Sequence, residues 1–208
     1  MLWKNDTKLM PQPVGTPPRA DTLIKEPSFI EVINNKIYFY SEIEREKTLQ
    51  LIKNLRDLNI EMEHTRNIHS IEEPIKIHLY INSYGGEVFS GLSVMDEIIN
   101  SKVPITTIVD GCCASAATLF SVVGQYRIIK PHAFMLIHQI SSVFWGKFSE
   151  LQDEMSNTRR LMKVIKDIYS KYTKIPEKKL DEMLKHDLWF DAKTCLRYGL
   201  VDEIGFIQ

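Results

Sequence analysis

The sequence has little of several features that would point to particular protein classes. It has three cysteines, Cys112, Cys113 and Cys195, and their odd number and lack of metal-type spacing favour buried free thiols in a reducing compartment over disulfides. The formal net charge is only −1, so electrostatics gives no case for a nucleic-acid partner or an anionic membrane. No apolar run approaches the length of a membrane span, and residues 1–24 contain prolines and charges where a signal peptide has an apolar core. We therefore expect a cytoplasmic protein with neither nucleic-acid nor membrane partners.

What the sequence does contain is enough apolar material for one core. Hydrophobic residues make up 44% of the 208 residues, and a chain of this length buries one substantial core rather than two. Residues 1–27 are rich in proline and polar side chains, a composition that cannot bury enough surface to order itself. We expect a flexible N-terminal arm over residues 1–27 and a single domain over residues 28–208.

The first part of this domain has the pattern of a hairpin followed by a helix. Strands are predicted at residues 29–32 and 37–40, on either side of Asn34-Asn35, because asparagine tolerates the left-handed backbone of a tight turn. The spacing of Ser41 to Glu44 is that of a capping box and predicts that a helix starts there. Its apolar stripe predicts an end near Ile60.

A polar connector is predicted over residues 61–73, after this helix. It contains Glu63, His64 and His69, which could be imagined as metal ligands. Their spacing matches no helical metal motif, so a solvated loop is the better interpretation. We expect no metal site and no cofactor.

Further along, strands and helices alternate. A strand at residues 75–81 is followed by Gly85-Gly86 and a helix, and the next strand begins at Ile105. This alternation predicts parallel strands joined by right-handed crossovers, with chemistry in the loops at the carboxyl ends of the strands. Two more strands follow, and the second ends immediately before His138. These two strands are expected at residues 126–129 and 133–137.

A long amphipathic helix is predicted over residues 147–172. Its apolar side chains recur at intervals of three, four or seven residues, which indicates a core stripe or a partner surface. They are Phe148, Leu151, Met155, Met162, Ile165, Tyr169 and Tyr172. A short helix after Pro176 and another between Asp191 as cap and Gly199 as terminator complete the chain.

The stretch from Ile105 to Phe120 contains a candidate nucleophile. Its β-branched first half predicts a strand, which turns sharply at Gly111 and enters a helix at Ser115. Such a serine can be a nucleophile, because small neighbours admit a substrate carbonyl and helix-start amides can hold an oxyanion. The alternative is an N-cap serine whose hydroxyl binds the first-turn amides. Taken alone, the stretch favours the N-cap.

Four motifs in the same order and with similar spacing resemble a known family. They are Ile81-Asn-Ser-Tyr-Gly-Gly86, Gly111-Cys-Cys-Ala-Ser-Ala116, Met135-Leu-Ile-His-Gln139, and Asp187 followed by Tyr198-Gly-Leu-Val-Asp202. Over residues 75–206 the sequence resembles the Clp protease proteolytic subunit family, the ClpP-like serine peptidases. The resemblance implies an α/β, ClpP/crotonase-type fold of repeated ββα units with a long protruding helix.

The resemblance also implies roles for five residues. It makes Ser115 the nucleophile, His138 the general base and Asp187 the acid that orients the imidazole. It places the oxyanion hole at the backbone N–H groups of Gly86 and Ala116. Without the resemblance, the competing candidates are His132 and His186 for the base, and Asp191 and Asp202 for the acid.

The sequence departs from the family pattern around these residues. Tyr84 stands where a proline usually precedes the paired glycines, and Ile140 replaces another proline. Ala116 and Ala117 stand where the family commonly has methionine and glycine. These changes leave the reactive groups in place and alter the substrate groove.

The resemblance implies a serine endopeptidase that cleaves polypeptides inside a self-compartmentalised ring assembly. In the family, the helix after the histidine strand stacks two heptameric rings, and the helix over residues 147–172 occupies that position, preceded by Val143, Phe144 and Trp145. The implied partner is an ATP-dependent unfoldase. Two alternatives are a stand-alone processing peptidase, for example of viral capsid precursors, and a catalytically silent scaffold subunit of a mixed ring.

Overall fold

The computed structural model describes residues 29–69, 72 and 75–207, and the predicted arm over residues 1–27 lies outside them. Strands and helices alternate along most of this part of the chain, which confirms the α/β class. The elements are β1 (Ile30–Ile33), β2 (Lys36–Phe39), α1 (Arg45–His69), β3 (Ile77–Ser83), α2 (Val88–Ile99), β4 (Ile105–Ala114), α3 (Ala116–Ser121), β5 (Tyr126–Ile129), β6 (Phe134–Leu136), α4 (Phe148–Tyr172), α5 (Glu177–Met183), β7 (Phe190–Asp191), α6 (Ala192–Arg197) and β8 (Glu203–Ile204).

Within the described residues, the strands form one eight-stranded sheet in the order β1-β2-β3-β4-β5-β8, and β6 pairs with both β4 and β7. The strands β2 to β5 run parallel, as the alternation predicted. The hairpin of β1 and β2 is antiparallel. Asn34 at its turn has a φ of 54°, which confirms the left-handed turn predicted from the asparagine pair.

The two faces of the sheet differ in how they are covered. The buried side chains of the helices belong to one large hydrophobic cluster, which also includes Leu79 of β3 and Val109 of β4. A smaller cluster of Tyr80, Ile108 and Ile128 lies on the opposite face. Because successive strand residues point to opposite faces, this alternation assigns the helices to one side of the sheet.

Strand β4 changes partner half-way along its length, which corrects the sharp turn predicted at Gly111. Residues 106–109 pair with β5, and residues 112–114 pair with β6. Gly111 between them has a φ of +96°, a conformation that favours glycine. The strand does not end there because β6 offers a new ladder beyond the glycine.

Helix α1 differs from its prediction at both ends. It begins at Arg45 rather than at Ser41, because Ile43 is engaged in a parallel bridge with Gly86. It runs to His69, so the predicted connector is helical up to that residue. Met62 explains the extension, because it continues the buried stripe of the helix into this polar region.

Helix α4 confirms the predicted long, protruding helix. Its buried side chains are Ile165, Ile168 and Tyr169, all in the second half. The first half, which starts at Phe148, is mostly exposed and extends beyond the core. Among the described residues, no helix combines the length and apolarity needed to cross a bilayer.

The last elements also follow their predictions. The Asp191 carboxylate accepts a hydrogen bond of 2.8 Å from the Thr194 amide and caps α6. Gly199 has a φ of +66° just beyond that helix, as a C′ glycine does. A partly buried ion pair then fixes the end of the chain: the Arg127 guanidinium binds the Asp202 carboxylate at 2.5 Å and the carbonyl oxygens of Tyr172 and Gly199.

The Asp202→Asn substitution should lower the free energy of unfolding by about 1–3 kcal/mol at pH 7, because it removes a charged acceptor from the Arg127 guanidinium. The hydrogen bond from Arg127 lowers the pKa of Asp202. The extra stability that the Asp202 carboxylate gives the wild type is therefore fully present above the pKa of about 3.9 that an aspartate has in the unfolded chain. It disappears as the pH falls through the lower pKa of Asp202 in the folded protein. Urea unfolding between pH 7 and pH 2 measures this difference.

The matched control is Glu182→Gln, which removes an exposed ion pair with Lys179. Its cost should stay below about 1 kcal/mol, because exposed pairs contribute little. Equal losses for Asp202→Asn at pH 7 and at pH 2 would contradict the linkage.

Candidate active site

Ser115 is the single residue between the end of β4 and the start of α3. Its backbone has φ 54° and ψ −128°, an unfavourable conformation for a residue with a β-carbon. Its amide donates a hydrogen bond of 2.8 Å to the carbonyl oxygen of Leu136, so the serine continues the pairing of β4 with β6. The side chain makes no capping hydrogen bond to the helix. The N-cap alternative from the sequence is therefore wrong.

The Ser115 hydroxyl instead faces His138, two residues beyond the end of β6. The distance from His138 Nε2 to Ser115 Oγ is 2.7 Å. The other ring nitrogen, Nδ1, lies 2.8 Å from Asp187 Oδ1. The structure thus brings the three predicted triad residues into one hydrogen-bonded chain. A carboxylate on Nδ1 favours the tautomer in which Nε2 accepts the hydroxyl proton.

Asp187 reaches the imidazole from the segment between α5 and β7. The amide of Gln139 donates to the carbonyl oxygen of Leu184 at 2.7 Å, which ties the residue after His138 to the end of α5. The side chains of the pair differ in exposure, with 24% for His138 and 78% for Asp187. The imidazole is thus partly sheltered while the carboxylate is open to solvent.

The competing acids and bases lie elsewhere. Asp202 is paired with Arg127, and Asp191 caps α6. Hydrogen bonding to Thr194 lowers the pKa of Asp191, which is consistent with a carboxylate that acts as the cap of α6. His132 and His186 are exposed, and the imidazole that contacts the Ser115 hydroxyl is that of His138.

The glycine turn at Gly85 and Gly86 is hydrogen-bonded to the backbone of Ile43. The amide of Ile43 donates to the Gly85 carbonyl oxygen at 2.7 Å, and the amide of Glu87 donates to the Ile43 carbonyl oxygen at 2.9 Å. In this parallel bridge the peptide groups alternate in direction. The Gly86 N–H therefore points away from Ile43.

Gly85 packs directly against Ser115, the candidate nucleophile. A β-carbon at this position would lie 2.7 Å from Ser115 Cβ and 3.2 Å from the amide nitrogen of Ala116. Gly85 has a φ of +101° and Gly86 a φ of +143°. The turn thus combines close backbone approach with conformations that disfavour residues other than glycine.

A cavity of about 910 Å³ opens beside Ser115 and His138. One wall is the backbone from Gly86 to Phe89, and another is the segment from Gln139 to Ser142. Apolar side chains of α3 and α4 line it between these walls: Leu119, Leu161, Val164, Ile165 and Tyr169. Polar and charged residues of α4 line it as well: Glu154, Asn157, Thr158 and Arg160. Its size suits a peptide segment of several residues rather than one side chain.

A hydrogen-bonded chain connects the backbone of Ser115 to α4. The Thr118 hydroxyl donates to the Ser115 carbonyl oxygen at 2.6 Å and lies 2.5 Å from the Tyr169 hydroxyl. Burial raises the pKa of Tyr169 above its usual range, so this hydroxyl stays protonated. Sequence reasoning missed the pair of Thr118 and Tyr169, because Tyr169 was counted as part of an apolar stripe. It also missed Ile43, whose bridge to Gly86 joins distant parts of the chain. A tyrosine in such a stripe is itself a signal, since a buried phenol needs a polar partner.

Comparison with known proteins agrees with this geometry. The Clp protease family model matches residues 31–208. The chain belongs to the Clp protease family. That membership, with the mixed α/β sheet, confirms the ClpP-like fold, and it supports a serine-type peptidase as the class of enzyme.

Three similar proteins are each named ATP-dependent Clp protease proteolytic subunit. The protein from Deinococcus radiodurans is 32% identical over 62% of this chain and 64% of its own length. The protein from Oltmannsiellopsis viridis is 30% identical over 93% of this chain and 98% of its own. That from Chlorella vulgaris is 29% identical over 93% and 96%, respectively. The similarity to the last two proteins therefore extends over nearly the whole Clp protease chain.

The Gly86→Ala substitution should destabilise this Clp protease chain by about 1–3 kcal/mol, since it forces a β-carbon into a left-handed backbone conformation. The new β-carbon would also collide with the Ile43 carbonyl group. Urea unfolding measures the loss. The matched control is Gly205→Ala, where the nearest atom is the end of the Glu203 side chain at 3.0 Å. Equal stability of the two variants would contradict the role given to the turn.

Proposed function

We propose that this protein is a serine endopeptidase that cleaves polypeptides with Ser115, His138 and Asp187. The observation that carries the proposal is the hydrogen-bonded chain from Asp187 through His138 to the Ser115 hydroxyl, at 2.8 and 2.7 Å. A serine hydroxyl is a weak nucleophile at neutral pH. It needs a base at this distance to take its proton.

The reaction follows from the arrangement of these groups. Ser115 Oγ attacks the scissile carbonyl carbon while His138 Nε2 takes the hydroxyl proton. When the C–N bond breaks, the imidazolium gives that proton to the leaving nitrogen and an acyl-enzyme remains. Water, deprotonated by His138, then hydrolyses the ester. Asp187 holds the imidazole in the required tautomer and stabilises its protonated form.

The amides of Gly86 and Ala116 are the proposed donors to the oxyanion. Support comes from the direction of the Gly86 N–H, which faces away from the Ile43 bridge, and from the place of Ala116 at the start of α3. First-turn amides have no acceptor within their own helix. One such donor typically contributes about 3 kcal/mol to the transition state.

The substrate is proposed to bind as an extended strand. Gly86 and Glu87, just before α2, and the segment from Gln139 to Ser142 both border the cavity, and either can pair with a peptide by β-augmentation. The side chain on the acyl side of the scissile bond would enter the cavity. The part of the cavity lined by the buried side chains of Leu119, Ile165 and Tyr169 favours an apolar group, and the charged lining residues Glu154 and Arg160 lie on the more exposed half of α4.

The Clp protease chain is further proposed to assemble into stacked rings. Val143 is 98% exposed and Trp145 is 100% exposed, and they lead into the exposed half of α4. Large apolar side chains at full exposure indicate an interface. The heptameric ring is proposed from the family resemblance, and an ATP-dependent unfoldase partner also from the names of the relatives.

The remaining expectations are part of the same proposal. Residues 28–208 would form a single peptidase domain, since the helices share one hydrophobic cluster with the sheet. The cytoplasm is the proposed compartment, because Cys112, Cys113 and Cys195 are free thiols and such thiols persist in reducing surroundings.

Replacing Ser115 with alanine should abolish cleavage of a fluorogenic peptide and labelling by a fluorophosphonate. Asp187→Asn should slow cleavage by about 10⁴-fold, because the wrong tautomer of His138 is then favoured. Asp191→Asn, which removes charge from a nearby cap only, is the matched control and should keep the wild-type rate. A folded wild-type protein that resists labelling would instead indicate the silent scaffold subunit.

The Trp145→Glu substitution should weaken self-association about 30-fold or more, because an interfacial tryptophan typically contributes at least 2 kcal/mol and a buried unpaired carboxylate adds to the loss. Sedimentation velocity over a range of protein concentrations measures the change. The control is Phe206→Glu, at another exposed aromatic residue. Unchanged assembly of Trp145→Glu would exclude this segment from the interface.

A further inference from the structure

Two exposed aromatic side chains meet beside the triad. Tyr84 immediately precedes the paired glycines, and Trp189 follows Asp187 by two residues. Their ring centroids lie 6.2 Å apart, and the rings are nearly perpendicular at 86°. Tyr84 is 70% exposed and Trp189 is 44% exposed. The contact therefore joins the glycine turn to the segment of the acid, and it presents apolar surface to solvent.

This aromatic pair lies away from the cavity that flanks the nucleophile. The cavity is lined by Gly86 and the residues after it, and by His138 and the residues after it. Tyr84 precedes the first of these walls, and neither Tyr84 nor Trp189 lines the cavity. The aromatic pair is therefore separate from the lining of the cavity, although its two segments adjoin the glycine turn and Asp187.

The chemistry of acyl transfer gives these two sides different tasks. When Ser115 Oγ bonds to the carbonyl carbon, the acyl part of the substrate and the leaving amine extend from that carbon in different directions. If the acyl side chain occupies the cavity, the leaving peptide must pass on the other side of the serine. Tyr84 and Trp189 adjoin the glycine turn and Asp187 in the chain and lie outside the cavity lining, so they are the candidates for that side.

We propose that Tyr84 and Trp189 bind the first residue of the leaving peptide and favour an aromatic or large apolar side chain there. This inference rests on the proposed peptidase function. An edge-to-face pair of exposed rings leaves ring surface free for a third apolar group. An acidic side chain is disfavoured, because the exposed carboxylate of Asp187 is close in the chain and repels it.

The acyl-enzyme offers a direct test, since amines compete with water for it. A peptide ester first acylates Ser115. Phenylalaninamide, glycinamide or aspartic acid amide is then added. The amine nitrogen attacks the ester carbonyl carbon, His138 takes the amine proton, and the proton passes to Ser115 Oγ as the ester C–O bond breaks. The ratio of amide product to acid product reports how well each amine binds where the leaving residue was.

In the wild type, phenylalaninamide should be favoured over glycinamide on the order of tenfold, and aspartic acid amide should be the poorest acceptor. In Trp189→Ala the preference for phenylalaninamide should fall to about twofold or less, the range of one weak aromatic contact. Phe206→Ala, at an exposed aromatic residue on another part of the surface, should keep the wild-type ratio. Each ratio is internal to one variant, so it does not depend on how fast that variant is acylated.

The Tyr84→Ala variant provides a second test, because its well-exposed side chain can be removed without opening the core. It should reduce the same preference. An unchanged preference in both variants, or an equal loss in Phe206→Ala, would overturn the inference while leaving the peptidase function intact. Failure of the wild type to form an acyl-enzyme, with no fluorophosphonate labelling of Ser115, would overturn both.

Discussion

The site depends on one backbone hydrogen bond, from the amide of Ser115 to the carbonyl oxygen of Leu136. Strands β4 and β6 run parallel, with Ala114 opposite Leu136, and this bond carries the pairing one residue further. Because His138 follows Leu136 by two residues, the bond sets the distance between hydroxyl and imidazole. The spacing of the reactive groups is thus a property of the sheet rather than of a flexible loop.

Making this bond requires unusual backbone conformations along β4 and beside it. Gly111, at φ +96°, lets the strand leave β5 and join β6. Ser115 then adopts a positive φ that a serine disfavours. Gly85 must present bare backbone to Ser115, and Ile43 fixes that turn from the other side. The pairing of β3 with β4 also shifts register here, between Ile81 opposite Val109 and Ser83 opposite Cys113. The unusual conformations are therefore concentrated at a few residues around this irregularity.

The periodic parts of the sequence predicted their structure, and the parts that depend on distant partners did not. The stripe of α4 and the cap at Asp191 are local signals, and both were predicted. The predicted ends of α1 were wrong. The start of this helix depends on the bridge between Ile43 and Gly86, which lie more than forty residues apart in the sequence. The positions of Ser115, His138 and Asp187 followed from the family resemblance. Composition and periodicity alone could not have chosen among the histidines and acids.

The geometry of the triad and its electrostatic strength have different origins. The sheet fixes Ser115 and His138, but Asp187 is 78% exposed, and water screens its charge. Two opposite charges about 4 Å apart attract with about 1 kcal/mol in bulk water and with about 4 kcal/mol at an effective dielectric constant near 20. A leaving peptide packed on Tyr84 and Trp189 would displace water beside the acid. In the proposed mechanism, the protein supplies the alignment, and the bound substrate supplies the low dielectric that strengthens it.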